Sequence, residues 1–203
     1  RAVQCEAPSD IVNVSPGGLV RPVADGHGEI KFTIGYQTVT VPVTVTDSGA
    51  DQAISYVNDV VPVMSKLGCN SGTCHGSAGG KNGFKLSLRG YDALFDHRAL
   101  TDDLAARRIN RSAPDQSLML LKPSGGVPHV GGVLTSPGEP RYDILRDWIA
   151  QGVNLDLDSP RVTGIEVFPK DPTISLAGMT QQMKIIATYA DGAVRDVTAD
   201  AFI

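Results

Sequence analysis

The stretch LGCNSGTCHG, Leu67–Gly76, places two cysteines on either side of four small residues and joins the second directly to a histidine. Three chemistries fit such a cluster, and each dictates how the surrounding chain must fold. Covalent haem attachment needs two thiols that add to the vinyl groups of the porphyrin and an imidazole that reaches the iron from one face. His75, next to Cys74, is placed for that, and the loop between the cysteines only has to bulge. Asn70, Ser71, Gly72 and Thr73 are small turn-formers, and Gly72 is free to take a positive φ. A zinc site is the second reading, but a closed site draws about four ligands from well-spaced pairs, and the further candidates Cys5, His27, His97 and His129 are scattered along the chain. The third is a Cys69–Cys74 disulfide closing a tight ring in an extracellular protein, which explains the cysteines and leaves His75 accidental.

A chain of 203 residues has room for one large domain or two to three small ones. Its net charge of −4 leaves no basic surplus to neutralise phosphates, so nucleic acid is not an expected partner. The longest apolar runs are strand-length, short of the ~20 residues a spanning helix needs, and no membrane span is expected. No signal peptide remains at Arg1, so the chain is expected to begin as mature protein or as a cut fragment. Aromatic residues make up only 5% of the chain, and glycines flank the cysteine–histidine stretch. A small helical unit of this composition is expected to have trouble filling a core, and an apolar macrocycle would supply buried surface.

Periodicity divides the chain in three. Residues 11–46 read as β-structure: Ile30, Phe32, Ile34 and Tyr36 alternate with polar neighbours, a turn follows at Gly35 to Gln37, and Val39, Val41, Val43 and Val45 resume the alternation. This is a hairpin with one buried face, preceded by a strand at Leu19 to Val23, and Pro42 marks its last strand as an edge or as locally irregular. Cys5, without a nearby partner, is expected as a small buried hydrophobe of this segment. From Asp51 the spacing of Ile54, Val57, Val61, Met64 and Leu67 is that of a helix, stopped by Gly68. GSAGGKNG then reads as a flexible wrap and FKLSLRGYDALF as a short extended piece with a turn. Asp115 is placed to cap a short helix at Leu118 to Leu121. The clearest helix starts near Pro140, carries Tyr142, Leu145, Trp148 and Ile149 on one face, and closes at Gly152. From Arg161 the β alternation returns through Ile165, Val167, Ile185, Ala187 and Tyr189 to an Asp191-Gly192 turn and Val194.

The two β segments resemble halves of the group-2 bacterial immunoglobulin-like domain: residues 161–203 are similar to its first half and residues 1–48 to its second. The halves stand in reversed order, and they are expected to pair, within the chain or as a strand-pairing dimer, because open edges with an apolar face aggregate. Between them, KLGCNSGTCHGSAGGKNGFKLSLRGYDALFDHRAL, ARRINRSAPDQSLMLLKPSGGVPHVGG and YDILRDWIAQGV resemble the planctomycete-type cytochrome c domain, in which the four-residue loop is itself characteristic. The resemblance covers about Ile54 to Val153. It implies an α+β fold: a mainly α-helical cytochrome c-like domain at 51–158, between two β segments of immunoglobulin-like sandwich type at 1–48 and 161–203. It also implies one covalent haem c, attached after export to the periplasm or beyond, with Cys69 and Cys74 as its thioether links and His75 as the proximal iron ligand.

In that family resemblance the Met-Pro-Pro segment that supplies the sixth ligand of ordinary cytochromes is replaced by PHVGG. His129 is therefore the expected distal ligand, with Gly131 and Gly132 letting the backbone approach the haem edge. Met119 is the alternative, although a methionine in LMLL more commonly fills a core. Two imidazoles stabilise ferric iron and predict a low-potential electron carrier rather than an enzyme. Arg107 and Arg108, with Lys122 behind them, are candidates to pair with the haem propionates, since guanidinium matches carboxylate in a two-bond fork. A redox partner protein or other domains of a larger parent are the expected partners. Two alternatives remain open: the haem-containing part of a larger redox enzyme with a labile sixth ligand, and a haem-free adhesive or structural module.

Overall fold

The alternating segments form antiparallel ladders in the computed structural model, which describes residues 3–50 and 52–201. Asp51, the expected start of the helical unit, lies outside the described residues, as do the chain's ends at Arg1 and Ile203. The molecule divides into two compact units, residues 1–52 and 53–203. The first holds β1 (Gln4–Glu6), β2 (Val12–Val14), β3 (Val20–Pro22), β4 (Gly26–Ile34) and β5 (Gln37–Val45). β4 and β5 pair along their whole length, Ile30 opposite Val41 and Phe32 opposite Val39, through a two-residue turn in which Gly35 takes φ +63°. β1 adds to the other side of β4, so Pro42 lies on an edge strand where its missing N–H costs no ladder bond. β2 and β3 form a separate hairpin. Burial in this unit centres on Ile30 and Val12, whereas Val39 remains 62% exposed. Cys5 is exposed on β1, not buried: the short strand pairs with β4 but no second layer covers its side chain.

The first helical turn of the second unit is capped by Ser55, whose Oγ accepts the N–H of Asn58 while its own N–H is held by the Asp59 carboxylate. A π-turn, Tyr56–Val60, runs directly into α1 (Val61–Lys66). A contribution to this start comes from far along the chain: Asp156 accepts the Ser55 hydroxyl and, at 3.1 Å, the N–H of Val57. The sequence reading had no helix at α2 (Ala93–Thr101), which Asp92 caps by accepting Phe95 N–H at 2.9 Å. α3 (Asp103–Ala106) is a single turn in which Leu104 and Ala105 take positive φ. α4 (Leu118–Leu121) stands where expected, but Asp115 does not cap it; that carboxylate accepts the Tyr142 hydroxyl instead. α5 (Pro140–Ala150) ends at Gly152, φ +101°, in a Schellman arrangement with Val153 N–H on Trp148 O.

Helices account for fewer than half of residues 53–158, so this middle stretch is a mixture of short helices, turns and loops rather than mainly helical. What unites it is one apolar cluster. Tyr56, Val60, Leu86, Leu120, Leu145 and Trp148 are among its fully buried members. Trp148 lies 5.1 Å from Tyr56 between ring centroids, and His97 meets Tyr56 edge-on at 5.1 Å. The chain therefore fills a core from its own side chains, and the low aromatic content is not an argument for a macrocycle.

β6 (Val162–Phe168), β7 (Lys184–Tyr189) and β8 (Val194–Asp196) form a three-stranded antiparallel sheet, with Val167 opposite Ile185 and the Asp191-Gly192 turn between β7 and β8. Ile185, Ala187 and Tyr189 are buried, while Ile165 on the edge strand is 64% exposed. This sheet belongs to the same unit as the helices: Asn58 donates to Pro160 O, Arg141 to Ala199 O, and Arg195 pairs with Asp59 at 3.4 Å.

Asp156 thus ties the first helix to the segment after the last. Burial alone would raise its pKa, but hydrogen bonds from Ser159, Ser55 and Val57 N–H outweigh that and lower it. A carboxylate whose folded pKa is depressed stabilises the fold above its unfolded value, about 3.9, and loses that contribution as pH falls through the folded value. Asp156→Asn is expected to cost about 1–2 kcal/mol near pH 7, in the range of a lost cap. The difference from wild type in urea melts should shrink below about pH 4.

Candidate functional site

The end of α1 determines where the first thiol sits. Gly68 takes φ +79°, its N–H donates to Ser65 O, and Cys69 N–H donates to Met64 O at 2.9 Å. These are the two bonds of a Schellman motif, in which the residue after the glycine turns back onto the helix. Cys69 accordingly packs against the apolar cluster. Asn70, 1% exposed, is anchored by its Nδ2 to Ser65 Oγ at 2.8 Å.

The four residues between the cysteines form a hydrogen-bonded coil rather than a loose bulge. Ser71 O receives the N–H groups of Cys74 and Gly76, both at 3.0 Å, and His75 N–H returns to Cys69 O at 3.0 Å. A Cβ on Gly76 would lie 2.0 Å from Asn70 O, so only glycine lets the chain leave the coil this way. Gly72 does not use the positive φ available to it; the left-handed residue is Gly68. Cys69 and Cys74 are free thiols, both half-buried. Burial, and next the neighbouring Cys74, push the Cys69 thiol up to about 11, so it stays protonated at neutral pH.

His75 is held by a small turn that the sequence reading took for flexible wrapping. Lys81 and Phe84 exchange backbone hydrogen bonds at 2.8 and 3.0 Å around Asn82 and Gly83, both with positive φ, which is the type I′ geometry that an Asn-Gly pair favours. The Phe84 carbonyl accepts the Nδ1–H of His75 at 3.1 Å, and the two rings pack at 4.5 Å. A carbonyl can only accept, so Nδ1 carries the proton and Nε2 presents a lone pair. Burial lowers the His75 pKa; the Phe84 bond opposes this, while charge on His129, Arg108 and Lys81 adds to it. The imidazole is thus favoured in its neutral, metal-binding form.

His129 comes from the loop between α4 and α5. Lys122 Nζ donates to Pro128 O at 2.8 Å, and Leu134 N–H donates to Pro123 O at 2.7 Å, so the loop is tied at both shoulders. Here too Nδ1–H is held by a backbone carbonyl, that of Gly132 at 3.2 Å, leaving Nε2 as an acceptor. Gly131 makes room for the ring itself, since a Cβ there would lie 2.7 Å from His129 Cε1. His129 lies near enough to His75 for its charge to be felt there.

The remaining candidates part company. Met119 is half-buried against the apolar cluster, as core filler. Arg107 is exposed beside an open depression of about 510 Å³ that Arg111 and Asn110 also line. Arg108 is buried, with its guanidinium on backbone carbonyls, and lies within electrostatic reach of His75. Lys122 is used by the His129 loop. His97 lies among the aromatic rings, and its Nε2–H donates to Val153 O at 2.8 Å. His27 bonds Thr44 across the β4–β5 ladder. Phe84 and Lys81 were missed as site residues, although the Asn-Gly between them was the available signal.

Comparison with known proteins adds one relationship. Residues 7–47 match the family described as Big-like, bacterial Ig-like domain. The ladders of β6–β8 are compatible with strands of that type. No curated protein matches the chain, and no solved structure does. Among the described residues no group of three or more His, Cys, Asp or Glu side chains is arranged to hold a metal ion, and no helix is long and apolar enough to cross a membrane.

The coil around Gly76 admits a direct check. Gly76→Ala is expected to destabilise by roughly 2–3 kcal/mol, as overpacking against fixed backbone does, whereas Gly72→Ala, whose Cβ would meet only Leu88 Cδ1 at 3.8 Å, should stay within about 0.5 kcal/mol. Midpoints of chemical denaturation read both.

Proposed function

We propose that this chain carries one covalently attached haem c and transfers electrons. The observation that supports it most is the shared state of two imidazoles. His75 and His129 each give Nδ1–H to a backbone carbonyl and keep Nε2 free, and charge on His129 is felt at His75. Two free thiols, Cys69 and Cys74, stand on the loop that delivers His75. This donor set suits haem iron better than zinc. A porphyrin brings four nitrogens and asks the protein for one or two ligands, whereas a closed zinc site needs about four side chains, and among the described residues no such group is assembled.

When bound, haem supplies a one-electron ferric/ferrous couple. Cys69 and Cys74 would hold it through thioethers formed by adding each S–H across a vinyl group. His75 and His129 would be the side chains that hold the iron, with Met119 packed against the apolar cluster instead. Two imidazoles, each with its Nδ1–H on a backbone carbonyl, favour the ferric state and hence a low potential. With two histidines holding it, the metal would have no place for small molecules, which suits a carrier rather than a catalyst. Export to the periplasm or cell exterior, with a redox partner or further domains of a parent protein on the receiving side, completes the reading. Pairing of the two immunoglobulin-like β segments belongs to the same proposal.

The chain made in an export route that installs haem c should keep haem mass after denaturation and show six-coordinate, low-spin spectra in both oxidation states. His129→Ala should convert it to high-spin, and Cys69→Ala with Cys74→Ala should abolish covalent retention. A high-spin wild type would favour an enzyme with a labile sixth ligand. A colourless chain from a competent host would leave only a structural or adhesive module.

A further inference from the structure

Arg108 is a charged side chain only 7% exposed, and among the described residues no ion pair includes it. A buried charge needs compensating partners, and here they are main-chain oxygens. Nη1 donates to Ala99 O at 2.9 Å and Asp103 O at 3.4 Å, while Nη2 donates to Gly83 O at 3.3 Å. The guanidinium carbon also lies 4.2 Å from the centre of the Phe84 ring. Its contacts therefore converge on both residues of the small turn that matter to His75: Gly83 at the tip and Phe84, whose carbonyl takes the Nδ1–H and whose ring packs the imidazole. On the other side the same guanidinium is fastened to the end of α2 and the turn after it, through Ala99 and Asp103.

The geometry points to Arg108 as a positioning residue: it clamps the Lys81–Phe84 turn against α2, so that the Phe84 carbonyl holds His75 in one orientation and one tautomer, with Nε2 outward. This role takes the place of the propionate pairing expected of Arg108, since much of its fork is spent on carbonyls. The clamp needs arginine in particular. A planar group can stack on Phe84 and reach carbonyls on two sides at once, whereas the ammonium of lysine keeps the charge but neither the plane nor the fork. Removing the clamp would loosen the Nδ1–H bond, weaken the imidazole as a donor and favour ferrous iron. The inference rests on the haem reading for its redox consequence only; the hold on the imidazole stands without haem.

Two readouts separate these. In the haem-loaded chain, Arg108→Lys should raise the reduction potential by an amount corresponding to about a tenfold shift of the ferric-to-ferrous ratio, about 59 mV for one electron. Gly83→Ala, which strains the same turn at φ +72° and leaves the Arg108 charge in place, should shift it the same way. In the haem-free chain, ring-nitrogen NMR should show His75 as a single Nδ1–H tautomer in wild type and as a mixture in both variants. An unchanged potential in either variant, or an unchanged tautomer, would overturn the proposal. Should Arg108→Lys not fold, Arg108→Gln decides by sign: loss of the clamp raises the potential, whereas mere loss of a positive charge near the iron lowers it. If the chain proves to carry no haem, the haem reading fails and the tautomer measurement alone tests the clamp.

Discussion

The 3.0 Å bond from His75 N–H to Cys69 O is the contact on which the site depends. It closes the coil between the two cysteines, so that both thiols and the imidazole leave one short piece of backbone. Without it, four intervening residues would let Cys74 and His75 swing independently of Cys69. The bond exists because α1 ends in a Schellman turn at Gly68, which aims Cys69 inward, and because Gly76 lets the chain depart past Asn70. Helix termination, loop closure and site geometry are one event.

The surroundings make that event rigid. Tyr56, Trp148 and His97 lock the first, second and last helices together, and Asp156 returns from beyond α5 to hold the first turn of the helical unit. The imidazoles are then fixed by carbonyls rather than by other side chains, at Phe84 and Gly132. Backbone acceptors cannot titrate or rotate away, so each ring's tautomer follows from the fold. The proposed haem would thus meet a prearranged donor set, at low reorganisation cost for electron transfer.

Periodicity located several elements well. β4 and β5, the short α4 and the long α5 fall where the alternation and the helical stripe place them, although the face of the hairpin expected to be buried is covered only around Ile30, and Val39 and Val41 stay exposed. α2 escaped although five of its nine residues are apolar, because what holds it is Asp92 at its start and the packing of Ala99 and Leu100 on distant elements. The burial expected of Cys5 failed for the opposite reason: no layer covers its strand. The Asn-Gly turn was visible as a turn, but its purpose was not, since the hydrogen bond to His75 joins residues nine apart across a loop.

By itself the sequence determined that two thiols and an imidazole leave one loop, because their spacing is covalent and Gly68 must end the helix there. It also determined the antiparallel hairpins, whose register follows from alternation and from turns at Gly35 and at Asp191-Gly192. Only the tertiary structure decided which arginine is buried and which nitrogen of each ring is free. Those outcomes depend on acceptors supplied from elsewhere in the fold, and no local pattern records where a distant carbonyl will point.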